Sequence, residues 1–179
     1  FFFAFANDLV VIVTAIFFFN NCFERVIPNC PVPPTIIALG FFIDIFNYIM
    51  LVKKKILIFT ATYNEKDNIE NLIRSINEIN LELDIYIIDD QSPDLTNLVI
   101  KDLQKEYSNI FLKIRNSKSG LDTAHKEAYE YALSNGYDYL ITMDADLSHD
   151  PKEIKNFVYY LNDSPFIIGS RYIEGGKCL

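Results

Sequence analysis

The chain has 179 residues, of which 50% are apolar and 15% aromatic, and it carries a formal net charge of −8. This length accommodates one domain, or one domain with an appendage, and the apolar content is too high for a disordered chain. The acidic balance argues against a nucleic-acid-binding protein, because such proteins gather Lys and Arg to contact phosphates.

Composition divides the chain near Lys53. The few charged residues before this point are Asp8, Glu24, Arg25 and Asp44. After it, charged residues are frequent and the apolar stretches become short. The sequence therefore predicts a hydrophobic N-terminal segment at residues 1–52 and a folded domain at residues 53–179.

Two interpretations of the N-terminal segment remain open. Its apolar runs at residues 9–19 and 35–52 can form a membrane hairpin with a polar turn at 20–34, since the second run has about the 17–25 residues that span a bilayer. The three lysines that follow are typical of a cytoplasmic flank, which would hold the domain at the cytoplasmic face of a membrane. Alternatively, the segment is non-native translation upstream of Met50, and the domain is soluble in the cytoplasm. In both cases we expect residues 1–49 to be dispensable for nucleotide binding.

From Lys53 onward, strands alternate with amphipathic helices. A fully apolar strand at 55–59 leads into a helix whose inner face is marked by Ile69, Leu72, Ile73, Ile76 and Ile79. A second strand at 84–88 leads into a helix marked by Leu95, Val99, Leu103 and Tyr107. A third strand at 110–114 leads into a helix that begins after Gly120, ends at Asn135-Gly136 and is marked by Leu121, Ala124, Ala128 and Tyr131. The fourth strand, the last helix and the fifth strand are predicted at 139–143, 151–161 and 166–169.

Strands that are apolar on both faces and alternate with helices predict an α/β fold with a mostly parallel sheet flanked by helices. In such sheets, ligands bind outside the carboxyl ends of the strands. Polar residues follow the first, second and fourth predicted strands, in the segments Thr60–Glu65, Asp89–Ser92 and Asp144–Asp146.

The acidic residues at two of these strand ends point to a cation. Asp144 and Asp146 directly follow an apolar strand, and two such carboxylates suit Mg²⁺ or Mn²⁺, which keep places for substrate phosphates. An isolated Asp-x-Asp is more often a solvated turn, but the second acidic pair at Asp89-Asp90 favours a site. Asp90 can accept from a base or ribose, or can cap the turn at 92–94.

Four further side chains have a functional and an ordinary interpretation. Tyr63 can stack on a base or be a half-buried loop residue, and Arg171 can contact phosphates or form a surface ion pair. His149 is interpreted as a helix-entry residue rather than a metal ligand, and His125 as a helix-surface residue.

Read together, these segments resemble the family 2 glycosyltransferases, and among them the dolichyl- and polyprenyl-phosphate mannosyltransferases. The matching strings are ILIFTATYNEKDNIENL, IIDDQSPDLT, SGLDTAHKEAYEYA, MDADLSHDPKEI and GSRYIEGG. The resemblance implies a GT-A fold, a GDP-mannose donor, a lipid-phosphate acceptor at a membrane surface, and Mg²⁺ or Mn²⁺ as cofactor.

The resemblance also assigns the residues of the site. The base and ribose of the donor would lie among Ala61, Tyr63, Glu65, Ile88 and Asp90. The sugar diphosphate and metal would meet Asp144, Ala145 and Asp146, with Ser148 as a further metal ligand and Arg171 on the phosphates. Asp144, Asp146 and Arg171 are the expected catalytic residues.

Three positions depart from the family pattern. The family commonly has Pro at position 61 and Gly at positions 91 and 95, where this chain has Ala61, Gln91 and Leu95. Leu95 is expected to make a glycine-dependent turn less available.

The expected reaction is transfer of mannose with inversion, and three alternatives accompany it. A related enzyme would use a UDP-sugar such as UDP-glucose. A non-catalytic fragment is the second alternative, because the family's acceptor-side elements follow the GSRY segment and little of the chain remains there. A phosphoacceptor receiver domain is disfavoured, since a whole strand–helix unit precedes Asp89-Asp90 and no Lys ends the last strand.

Overall fold

The computed structural model describes residues 54–161, 164 and 166–170, and the backbone of Val10–Val13. Its centre is a five-stranded parallel sheet in the order β1-β5-β2-β3-β4. The strands are β1 (Val10–Val13), β2 (Ile56–Thr62), β3 (Leu83–Asp89), β4 (Ile110–Ile114) and β5 (Tyr139–Thr142). The helices are α1 (Lys66–Asn77), α2 (Thr96–Leu103), α3 (Leu121–Ser134) and α4 (Ile154–Tyr160), the last preceded by a 3-10 turn at Pro151–Glu153.

The two faces of the sheet form two cores, because successive residues of a strand point to opposite sides. One core gathers Ile58, Ile85, Ile87 and Ile141 with the apolar faces of α1, α2 and α4. The other packs Ala124, Ala128 and Ala132 of α3 against large side chains of the sheet, which are Leu57, Phe59, Tyr86, Ile88 and Leu140. Small residues at four-residue spacing let α3 lie close to the sheet. Both faces are covered, as the predicted α/β architecture requires.

The predicted elements between residues 54 and 161 are confirmed, with small shifts of their ends. Strand β2 continues to Thr62 rather than ending at residue 59, so its carboxyl end lies three residues further along. Helix α3 begins after Gly120, whose φ of 92° and ψ of 155° suit a glycine.

The strand predicted at residues 166–169 is wrong: the structure has no strand in Phe166–Ser170. The alternation that favoured a strand is present, because Ile167 is 8% exposed while Phe166 and Ile168 are 42% and 43% exposed. However, the side of β5 that faces away from β2 already pairs with β1, in the register Val10↔Tyr139 to Val13↔Thr142. Both sides of β5 are thus paired, and residues 166–169 cannot add a strand beside it.

The same pairing brings part of the N-terminal segment onto the sheet. Only the backbone of Val10–Val13 is described there, and the rest of residues 1–53 lies outside the described residues. Within the described part of the chain, no helix is both long and apolar enough to cross a bilayer. Apart from Val10–Val13, the residues of the membrane-hairpin and upstream-translation interpretations lie outside the described ones.

Two turn residues adopt a conformation that favours glycine, so Leu95 does not prevent the glycine-type turn. Gln91 and Leu95, two positions expected to depart from the family pattern, have φ angles of 56° and 71°, in the left-handed region. A non-glycine residue pays roughly 1–2 kcal/mol for this conformation. Leu95 is also 52% exposed, so its side chain regains little by burial.

We predict that Leu95→Gly stabilises the domain by about 0.5–1 kcal/mol, because relief of the left-handed conformation exceeds the added freedom of glycine in the unfolded chain. Urea unfolding measures the change in free energy. The matched control is Leu98→Gly, which alters a leucine of similar exposure (47%) inside α2 and should cost about 1 kcal/mol. Equal destabilisation by both variants would contradict the prediction.

Candidate functional site

The carboxyl ends of β2, β3 and β5 meet at one edge of the sheet. The register pairs Thr62 with Asp89, and Phe59 with Thr142. The loops that begin at Tyr63, Asp90 and Met143 therefore leave the sheet side by side. A cavity of about 410 Å³ at the opposite edge, lined in part by Lys55, Asp84 and Asn109, contains none of the predicted site residues.

Asp89 is wholly buried and joins the first two of these loops. Its Oδ2 accepts from the hydroxyls of Thr62 (2.9 Å) and Ser92 (2.5 Å), and its Oδ1 accepts from the N–H of Ser92 (2.9 Å). The Ser92 hydroxyl oxygen in turn accepts from the N–H of Asn64 at 3.1 Å. Asp89, and not Asp90 as the turn interpretation supposed, caps the loop after β3.

Asp90 joins the second loop to the one after β4. Its Oδ1 accepts from Nε of Arg115, and its Oδ2 accepts from the N–H of Ser119 at 3.2 Å. Arg115 also donates to the hydroxyl of Thr123 (2.6 Å) and the carbonyl of Gly120 (3.0 Å) at the start of α3. Both side chains of the ion pair are under 10% exposed. The carboxylate expected to meet the donor's base thus already holds a buried arginine.

Arg115 is a residue that sequence reasoning missed. It is the first residue after β4, as Asp90 is the first after β3. A basic residue at a strand end, followed by a polar loop and Gly120, was the available signal. Its partner could not be read from local sequence, because Asp90 lies 25 positions earlier.

The loop after β2 presents an aromatic ring at this edge. Tyr63 is 39% exposed, and Nζ of Lys118 lies 3.8 Å from the centre of its ring, in cation–π geometry. Ala61 is half-buried. Glu65 begins α1, where its N–H donates to the hydroxyl of Thr96 at 3.1 Å. The structure thus brings Ala61, Tyr63 and Glu65 to the edge where the donor is expected.

Ile88 contributes differently from the other predicted donor residues. Its side chain is fully buried and packs with Phe59 in the core under α3. A nucleotide at the carboxyl edge could meet only the main chain at this position.

The loop after β5 carries the exposed acidic pair. The side chain of Asp144 is 52% exposed, whereas Ala145 between the two aspartates is 3% exposed. Oδ1 of Asp146 accepts from the N–H of Ser148 at 2.9 Å. Burial raises the pKa of Asp146, but the hydroxyl and N–H of Ser148 and the nearby His149 outweigh it, so the net pKa is lowered. Asp146 therefore stays ionised at neutral pH.

His149 closes this loop from inside. It is 2% exposed, and its Nδ1 accepts from the N–H of Asp144 at 2.8 Å. Its Nε2 lies 3.5 Å from Oδ2 of Asp144. The helix entry itself is capped by Asp150, whose Oδ1 accepts from the N–H of Lys152 at 3.0 Å. His149 thus stands at the helix entry, directly before the cap, and also contacts the acidic loop.

His125 is not a helix-surface residue. Its ring packs edge-on against Phe59, with 5.2 Å between ring centres and 71° between planes. Burial lowers the pKa of His125, and the charge of Asp144 opposes that shift in part. This imidazole is therefore held largely neutral at pH 7, on the α3 side of the acidic pair.

The acidic loop fits a cation that shares its ligands with a substrate. No group of three His, Cys, Asp or Glu side chains gathers around one point in the described residues. The available donors are Asp144, Asp146 and the exposed Ser148, all of them hard oxygens. Mg²⁺ and Mn²⁺ accept such sets when phosphates and waters complete the coordination. Arg171, expected on the phosphates, lies outside the described residues.

The sequence resembles a family model and several curated proteins. The family model described as "Glycosyl transferase family 2" matches residues 57–178. A polyprenol monophosphomannose synthase of Mycolicibacterium smegmatis is 31% identical over 125 residues, which cover 69% of this chain and 47% of that protein. An undecaprenyl-phosphate mannosyltransferase of Micrococcus luteus is 31% identical over 69% of this chain and 51% of its own length. A dolichol-phosphate mannosyltransferase of Pyrococcus furiosus is 34% identical over 69% of this chain and 35% of its own length.

Two solved structures share the fold. The S. aureus TarS 1–349 structure superposes with a TM-score of 0.53 at 19% identity, over 61% of this chain and 32% of that one. The mannosyltransferase PcManGT of Pyrobaculum calidifontis, solved with GDP-Man and Mn²⁺, gives a TM-score of 0.52 at 18% identity, over 69% of this chain and 41% of that one. The expected GT-A fold is confirmed. The chain spans about half or less of the length of the curated relatives it matches.

We predict that Arg115→Met lowers the free energy of unfolding by roughly 3–5 kcal/mol, because it leaves the Asp90 carboxylate buried without its cation. Urea unfolding at pH 7 measures the loss. Arg74→Met is the matched control: Arg74 also binds two carboxylates, Glu70 and Glu106, but its side chain is 40% exposed, and a much smaller loss is expected. Similar losses in the two variants would contradict the buried-pair assignment.

Proposed function

The chain belongs to glycosyl transferase family 2, and from this we propose that it binds GDP-mannose and a divalent cation for the transfer of mannose to a polyprenyl phosphate. The observation that carries the proposal is the pair of carboxylates, Asp144 and Asp146, at the end of β5. They lie at the same sheet edge as Tyr63 and Asp90. The names of the three mannosyltransferase relatives support the choice of sugar and acceptor.

The nucleoside half of the donor is proposed to lie between the loops after β2 and β3. Tyr63 offers an exposed ring on which a base can stack. Asp90 faces the same edge and can accept from a base N–H with a lone pair that Arg115 and Ser119 leave open. Ala61, Glu65 and the main chain of Ile88 would line the remaining contact.

The diphosphate is proposed to lie at the loop after β5. Asp144 and Asp146 would hold Mg²⁺ or Mn²⁺ with Ser148, and Arg171 would contact the phosphates. When bound, the cation neutralises charge that grows on the departing nucleoside diphosphate. The two aspartates keep that cation at the strand end and orient the donor toward its acceptor.

The proposed acceptor needs no strong protein base to become a nucleophile. A lipid monophosphate is already anionic at neutral pH and can attack the sugar carbon directly. Attack from the side opposite the leaving diphosphate inverts that carbon. Because this acceptor resides in a bilayer, we also propose that the domain works at a membrane surface.

The first test is whether donor binding needs the cation. We predict that GDP-mannose binds at least about tenfold more weakly in EDTA than in Mn²⁺, because its diphosphate would otherwise face two unscreened carboxylates. Isothermal titration calorimetry measures both affinities. A parallel titration with UDP-glucose distinguishes the alternative donor. Equal affinity for GDP-mannose in both conditions would overturn the metal assignment.

The second test removes one carboxylate. We predict that Asp146→Asn abolishes the Mn²⁺-dependent gain in GDP-mannose affinity and leaves the thermal unfolding midpoint nearly unchanged, since the side chain is exposed and serves a ligand. Asp102→Asn makes the same charge change at a residue of α2 that is 73% exposed and pairs with Lys105, and it should bind donor normally. A variant that unfolds would instead identify Asp146 as a structural cap.

A further inference from the structure

His149 is buried at 2% exposure beneath the acidic loop, and each of its ring nitrogens faces a different part of Asp144. The Nδ1 atom accepts the backbone N–H at 2.8 Å. A neutral imidazole that accepts at Nδ1 carries its proton on Nε2. That Nε2 atom lies 3.5 Å from Oδ2 of the same residue.

The loop between these two residues is closed by hydrogen bonds of its own. Leu147 adopts a left-handed φ of 62°, a conformation that a leucine holds only when its surroundings impose it. Within the loop, Ser148 donates its N–H to Asp146 at 2.9 Å. His149 and Asp146 thus close the loop at two points, and His149 does so by contacting Asp144.

We propose that His149 is a positioning residue for Asp144. It accepts the backbone N–H of Asp144 through Nδ1 and thereby fixes the position from which this carboxylate meets the donor's cation. The proposal rests on the function above, because it requires a cation at Asp144. Partners that orient a ligand in this way typically change metal affinity by about 10–100-fold when they are removed.

If His149 only filled space, the effect of a substitution would depend on the size and burial of the new side chain alone. The positioning role instead depends on where the acceptor atom stands. His149→Asn keeps an oxygen close to the place of Nδ1, where it can still accept from the N–H of Asp144. His149→Gln is closer to histidine in side-chain length, but its amide lies near the place of Nε2. The backbone N–H of Asp144 is then left without its acceptor.

The experiment measures Mn²⁺ affinity by electron paramagnetic resonance in the presence of GDP, for the whole chain and for both variants. We expect His149→Gln to weaken Mn²⁺ binding at least about tenfold, and His149→Asn to stay within about threefold of the original protein. Asn156→Ala is the matched control, since it removes a 2.5 Å hydrogen bond to Glu153 in the next helical segment without contacting the loop. Its Mn²⁺ affinity should not change.

The outcomes separate this inference from the proposed function. No Mn²⁺ binding by the original protein would overturn the metal assignment and the positioning role together. Normal binding by that protein and by His149→Gln, or equal weakening by the two variants, would overturn the positioning role alone.

A measurement on the unaltered protein covers the case in which the variants do not fold. Nitrogen-15 NMR of the histidine side chains should show His149 with its proton on Nε2 and an unprotonated Nδ1. A proton on Nδ1 would overturn the inference.

Discussion

The geometry of this site depends on a carboxylate placed where water cannot reach it. Burying a charged group is costly unless hydrogen bonds replace its hydration, and Asp89, at 0% exposure, finds its donors in Thr62 and Ser92. Thr62 ends β2, and Ser92 belongs to the loop after β3. Satisfying one buried carboxylate therefore sets the distance between the two loops that flank the expected nucleoside. Ser92 extends this link by accepting from the N–H of Asn64.

Asp90, the next residue, links the loop after β3 to other parts of the fold. Through Arg115 it reaches the loop after β4 and the start of α3. The adjacent aspartates thus bind the nucleoside side of the site into one network of three loops. In the acidic loop after β5, two hydrogen bonds run within the loop itself, from the N–H of Asp144 to His149 and from the N–H of Ser148 to Asp146. The loops where a base would be recognised are thus joined to one another, and the loop where a cation and diphosphate would bind is closed by two hydrogen bonds of its own.

The sequence predicted the parts of this arrangement that depend on local pattern. Apolar runs and helical spacing located β2 to β5 and the helices, and polar residues after strands located the edge of the site. Contacts between residues distant in sequence could not be predicted. No neighbour of Arg115 in the sequence indicates its contact with Asp90, and no neighbour of His125 indicates its contact with Phe59. Asp150 and Pro151 correctly indicated that His149 stands at a helix entry, but no local pattern indicated its contact with Asp144. The strand predicted at 166–169 failed because pairing depends on which sheet edge is open.

The charges on the described residues bear on how an acidic chain could bind an anionic donor. Two basic side chains near the edge are already engaged, Arg115 with Asp90 and Lys118 with the ring of Tyr63. The two aspartates after β5 are exposed, so the potential they create at the expected diphosphate position is repulsive. A cation reverses that sign, and the diphosphate supplies the ligands that two carboxylates and one hydroxyl lack. Cation and donor should therefore bind with positive coupling, each raising the affinity of the other by the same factor. Such coupling would keep the acidic edge open to solvent until both are present.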